Sequence, residues 1–168
     1  AFAYLPVQDF GNAFSIFTAQ NYGAKQTERI KKGIRAALTA SVAFSLMVSF
    51  CVFVFAKPLM TLFINAEETA VIEEGVRYLH IEGAVYFLIG ILFLFYGLYR
   101  ALAKPGMSVV LTIASLGIRV ALAYALSAIP VFGIAGIWWS VPIGWLLADV
   151  LGTVYYFVKR KSLLRGGL

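Results

Sequence analysis

The fold predicted for this chain is all-α, a polytopic transmembrane helix bundle, and three observations predict it. Of the 168 residues, 61% are hydrophobic and 13% charged, and the mean hydropathy is +0.87. Apolar runs of about 20 residues recur, the length that crosses a bilayer core. The charges gather in the connections between those runs, whereas a soluble domain would interleave polar surface at helical or strand spacing. Ala1 stands inside an apolar stretch with no initiator Met, charged leader or cleavage site, so the chain is expected to be part of a longer one. Cys51 is the single cysteine and His80 the single histidine. That leaves no material in this stretch for a disulfide framework, a zinc site or a Cys/His catalytic pair.

Five spans follow in order, over residues 1–22, 34–64, 69–103, 105–129 and 133–158. The first ends where Gly23 and a basic stretch begin. The second runs into Pro58 near its far end. The third is too long for one crossing: residues 69–82 are acidic and amphipathic and are expected to project from the membrane, entering lipid at about Gly83. Pro105 and Gly106 open the fourth, and the uncharged turn 130–133 separates it from the fifth. No internal repeat is visible.

The connections alternate in charge. Lys25, Arg29, Lys31, Lys32 and Arg35 lie between the first two spans, Arg100 and Lys104 between the third and fourth, and Lys159, Arg160, Lys161 and Arg165 in the tail. Eleven of the fourteen basic residues thus fall on one side, while Glu67, Glu68, Glu73 and Glu74 fall on the other. Basic loops stay cytoplasmic, so the first span is expected to run inward and the C-terminus to lie in the cytoplasm. The net charge of +6 is therefore topogenic. A nucleic-acid surface would interleave its bases with exposed aromatics on one face, and no nucleic-acid partner is expected.

Small residues recur at every fourth position in the last span (Gly136, Ser140, Gly144, Ala148, Gly152) and in the first (Gly11, Ser15, Ala19, Gly23). In lipid such stripes let helix backbones approach. Gln8, Asp9, Asn12 and Ser15 gather on one side of the first span and Ser108, Thr112, Ser115 and Arg119 on the fourth, as expected of a polar interior. Asp9, Arg119 and Asp149 are ionisable groups inside apolar spans, at depths of about 21, 21 and 14 Å from the cytoplasmic ends at 1.5 Å per residue. Arg119 could pair with either carboxylate, and Arg119 with Asp149 is the candidate buried pair or gate. Glu82 and His80 read as solvated residues near the outer interface. Trp138, Trp139 and Tyr78 read as anchors at the outer boundary, Tyr155 and Tyr156 at the inner one.

Gln20-Asn21-Tyr22-Gly23-Ala24, followed by Arg29-Ile30-Lys31-Lys32-Gly33, resembles the end of the second helix and the basic loop in each half of MATE exporters. Tyr99-Arg100-Ala101-Leu102-Ala103-Lys104-Pro105 is similar to a later turn of that family, with alanines at the usual glycines. Gly133 to Trp145 resembles its terminal helix. The resemblance covers nearly the whole chain. It implies a twelve-helix transporter in two lobes, of which this chain would be helices eight to twelve, a partial C-terminal lobe. It implies efflux of cationic or amphipathic small molecules across the inner (plasma) membrane by alternating access, with H⁺ or Na⁺ as coupling ion and no cofactor. The partners would be the bilayer and the missing N-terminal lobe, without which the fragment is expected to be inactive. Sodium-coupled NorM-type members carry Asp and Tyr where this chain has Ile89 and Val85, so the resemblance leans to the DinF-like branch.

The competing classes are a lipid-linked sugar flippase of the same superfamily, which should place several Arg or Lys in its cavity, and a membrane scaffold, which would give buried Asp9, Asn12, Arg119 and Asp149 no purpose. An integral membrane enzyme would need a nucleophile, metal or acid/base constellation at depth, and none is visible.

Overall fold

A computed structural model describes residues 4–165. It is a helical bundle: α1 (Tyr4–Gly23), α2 (Thr27–Thr61), α3 (Thr69–Ala84), α4 (Phe87–Ala101), α5 (Pro105–Thr112), a π-helical turn (Ile113–Gly117), α6 (Ile118–Ser127) and α7 (Gly133–Arg165). By length and apolarity α2, the continuous α5–α6 segment and α7 can each cross a bilayer. A fourth span exists if α3 and α4, bent by 52° at their junction, count as one. The polar residues of α1 keep it, at 20 residues, out of that set. Residues 1–3 of the expected first span lie outside the described residues.

Two boundaries differ from expectation for one reason. The basic stretches that look like loops are helical: α2 begins at Thr27, ahead of Arg29, and α7 runs through Lys159–Lys161 to Arg165. Lys and Arg are good helix formers, and long stems can reach water from a helix end. The connection between α1 and α2 is accordingly short. Lys25 takes a left-handed conformation (φ 57°), its N–H donating to Tyr22 O while the Gln26 N–H reaches Asn21 O at 2.8 Å. Ala103 repeats the device after α4 (φ 55°), with Lys104 N donating to Tyr99 O at 2.8 Å and Ala103 N to Arg100 O at 3.3 Å. These are Schellman closures, normally built on glycine.

α4 is the central helix. It packs most extensively on α1 and also on α2, α5 and α7. Its buried residues, from Leu88 through Tyr99, run round most of its circumference. Close approach is set by small residues. A Cβ at Gly11 would stand 2.8 Å from the Phe93 carbonyl oxygen, and one at Gly97 would strike the Gly11 carbonyl. Gly90 admits α2, whose Ser41 and Ser45 hydroxyls lie 2.7 and 2.8 Å from where its Cβ would be. On α7, Gly136 seats against Leu126, Gly144 against the Ser115 backbone and Gly152 against the Phe95 ring. The stripe predicted for the last span is thus a packing seam against two neighbours. In α1 only Gly11 and Ser15 belong to the buried face; Ala19 and Gly23 are exposed.

The three basic connections meet at one end of the bundle. Ile30, Leu102, Leu163 and Leu164, one or more from each, share a single buried cluster, and the Thr27 hydroxyl donates to Leu164 O at 3.3 Å.

Candidate functional site

α1, α4, α5, α6 and α7, joined at the third by α2 and α3, line three adjoining cavities. The first, about 260 Å³, is walled by Gln8, Asn12, Phe93, Tyr96, Arg100, Ser108 and Thr112. The second, about 250 Å³, shares Phe93, Tyr96 and Thr112 with it and adds Ser115, Arg119 and Trp145. The third, about 360 Å³, shares Tyr4, Ile89, Arg119 and Trp145 with the second and extends to Tyr78, Glu82 and Tyr86. The polar stripe read on the fourth span therefore lines cavities. In apolar surroundings these groups need partners, and several have them. Arg100 Nη2 donates to Asn12 Oδ1 at 2.8 Å, the Thr112 hydroxyl to Tyr96 Oη at 3.4 Å and to Ser108 O at 3.0 Å. Tyr96 Oη and Ser115 Oγ lie 3.4 Å apart. The π-helical turn sits at this level and carries Ser115.

The expected cavity residues divide. Gln8 and Asn12 line the first cavity. Ser15 does not: it is buried in the α1–α4 seam, its Cβ 3.4 Å from where a Cβ at Gly97 would lie. Asp9 is exposed on the opposite side of α1 from that seam and outside the described cavities. A single step of about 100° round the helix, from Gln8 to Asp9, separates the two fates, because Val7, Gly11, Phe14 and Thr18 define the face that packs.

Arg119 and Asp149 are not brought together. Gly144 is the α7 residue that meets the Arg119 stem, whose Cβ lies 3.3 Å from where a Cβ at Gly144 would be. Asp149 stands five residues on, about 140° round and 7.5 Å along the helix. It is buried, with 6% exposed, and neither carboxylate oxygen has a hydrogen-bond partner. Arg119 instead lines the second and third cavities.

Of the motif residues, Asn21 is buried and donates from Nδ2 to Phe17 O at 2.7 Å, and its own carbonyl closes the α1 end. Gln20, Gly23 and Ala24 are exposed. Arg100 is the motif residue that reaches a cavity. On the exposed α2 start, Lys31 Nζ donates to Glu28 and holds that carboxyl below its usual range.

Glu82 is corrected, while His80 keeps a partly exposed position with an exposed hydrogen bond. Glu82 is half-buried in the wall of the third cavity, one helical turn from Tyr78 in the same wall. His80 stacks on Phe53, ring centroids 4.1 Å apart, with Nε2 3.3 Å from Phe53 O. The signal was present in the spacing: Tyr78, Glu82, Tyr86 and Ile89 fall at i, i+4, i+8 and i+11, one helix face continued across the bend, and all four line that cavity.

A bundle of long apolar helices around cavities that hold buried polar groups defines a polytopic membrane protein. Residues 1–125 match the MatE family, and the chain belongs to it. The Probable multidrug resistance protein YoeA of Bacillus subtilis (strain 168) is 29% identical over 168 residues, an alignment that takes in 98% of this chain and 36% of that protein. The chain therefore spans about a third of that relative's length, at 36%. No solved structure matches.

Proposed function

We propose that this chain is part of the second lobe of a secondary active exporter, which moves cationic amphipathic compounds out of the cell by antiport against H⁺ or Na⁺. The observation that carries the reading is the run of cavities between apolar helices whose walls carry the polar groups of Arg100, Asn12, Tyr96, Thr112 and Arg119. A scaffold would have no use for such costly groups at depth. Membership of MatE and the multidrug-resistance name of the relative support the same reading, and a transporter needs no catalytic centre.

In this reading the exposed face of α1 that carries Asp9 meets the other lobe, Gln8 and Asn12 form the near wall of the substrate path, and Arg119 and Asp149 act separately. Asp149 is buried without a partner, a costly placement for a carboxylate that a purely structural role does not explain. Ile89, which lines the second and third cavities, binds no cation, in keeping with a DinF-like branch whose coupling carboxylate lies in the first lobe. The protein sits in the plasma membrane with its basic end and C-terminus cytoplasmic.

The test is efflux of a fluorescent cation from cells expressing the full-length parent gene, with wild type, Asp9→Asn and Asp149→Asn compared under a collapsed proton gradient and in sodium-free buffer. Wild type is expected to export, and Asp149→Asn to lose export at unchanged membrane level. A second reading, a lipid-linked flippase, is favoured by one observation: Arg100 and Arg119 both line cavities, as an anionic headgroup would require. Failure of wild type to export any cation under any gradient would select it.

A further inference from the structure

The third cavity holds one carboxylate and one guanidinium that do not pair. Glu82 comes from α3 and Arg119 from α6, and both line the same space of about 360 Å³, within the size range of small-molecule sites. Arg119 is close enough to act electrostatically on Glu82, Tyr78 and Tyr4. Yet the ion pairs among the described residues are Lys31–Glu28 and Arg77–Glu74, both elsewhere. Glu82 and Tyr78 line the cavity one helical turn apart on α3, and the Tyr78 ring is itself held edge-on against Trp138 at 5.9 Å. Tyr4 is fixed edge-on against Phe93 at 5.0 Å. Aromatic rings from Tyr4, Tyr78, Tyr86 and Trp145 line it too, beside the aliphatic Val52, Ile89 and Val141.

A gap between opposite charges that the fold holds apart, lined in part by rings, matches a ligand with the reverse arrangement. We propose that this cavity is a binding site for zwitterionic aromatic molecules, with Glu82 receiving the ligand's ammonium group and Arg119 its carboxylate or phosphate. An ammonium group near the rings gains from their negative faces as well as from the carboxylate. Guanidinium and carboxylate meet in a two-point contact that a single-point cation cannot use. A ligand carrying only a cation would satisfy Glu82 and leave Arg119 in the wall without a partner, and a purely anionic one would do the reverse. The site refines the export reading, on which its role in transport rests, by naming a substrate class narrower than amphipathic cations.

The test uses the purified full-length parent protein in lipid nanodiscs and three matched probes: glycyl-tryptophan, its methyl ester, which keeps only the ammonium, and its N-acetyl form, which keeps only the carboxylate. Calorimetric titration is expected to show the zwitterion binding about tenfold or more tightly than either derivative, the worth of one charge-assisted contact. Glu82→Gln should abolish the preference over the N-acetyl form, and Arg119→Gln the preference over the ester, each leaving the other preference in place. The readout is a ratio within one protein, so a variant of low yield is still informative, and the wild-type ratios decide the matter if neither variant folds. Equal affinity for zwitterion and ester in wild type would overturn the proposal, as would a preference untouched by both substitutions. Export of a simple cation together with such a result would leave the exporter reading standing and remove only this site.

Discussion

At the scale of single residues, Ala103 shows how a sequence departure becomes a physical quantity. The related turn of MATE exporters has glycines where this chain has Ala101 and Ala103, and Ala103 is held at φ 55°. A left-handed L-residue costs about 1–2 kcal/mol, and glycine returns part of that through the greater freedom of its unfolded state. Ala103→Gly is therefore expected to stabilise the parent protein by about 0.5 kcal/mol in thermal unfolding; a loss of stability would show that the alanine methyl makes a contact worth more than the strain. The same scale exposes what sequence could not resolve. Asp149 and Arg119 are both intramembrane charges and invite pairing, yet which way each points depends on helix register against neighbours, fixed by where Gly144 seats. Glu82, by contrast, was readable from its spacing to Tyr78 and Tyr86, and was missed because its nearness to the outer interface suggested water.

Elements were more legible. Apolar run length and charge placement gave the helices, because a bilayer admits few alternatives to helix for a chain of this composition. Their ends were less so, since basic loops and basic helix extensions have the same composition; α2 and α7 outrun their spans for that reason. The packing reading can be tested by contrasting two glycines. A Cβ at Gly144 would strike the Ser115 carbonyl, whereas one at Gly23 would meet nothing within 4 Å. Gly144→Leu is expected to abolish folded yield of the parent protein by forcing α7 off the α5–α6 segment, and Gly23→Ala to leave yield unchanged, both measured by detergent gel filtration. Equal yields would mean that the α7 seam is not tight. The bend between α3 and α4 was only half foreseen: the acidic start of the third span signalled a change of environment, and no proline or glycine pair marked where the axis would turn.

For the whole molecule, the convergence of Ile30, Leu102, Leu163 and Leu164 in one cluster puts the three basic segments at one end, the end that the topology proposed above places in the cytoplasm. In a full-length parent with every native cysteine, Cys51 included, replaced by serine, Gln26→Cys and Ser162→Cys are expected to react with a membrane-impermeant maleimide only after permeabilisation, and Glu67→Cys in intact cells; the reverse pattern would invert the topology. Cavities between helices were foreseen as a polar interior without their membership, because lining depends on which faces three or four helices turn to each other. The export activity itself is read most directly in proteoliposomes of the purified parent protein, with a lipophilic fluorescent cation outside and an imposed gradient of H⁺ or Na⁺. The account predicts that one of these gradients drives the cation uphill, and that accumulation collapses when that gradient is dissipated. No accumulation under either gradient would contradict it.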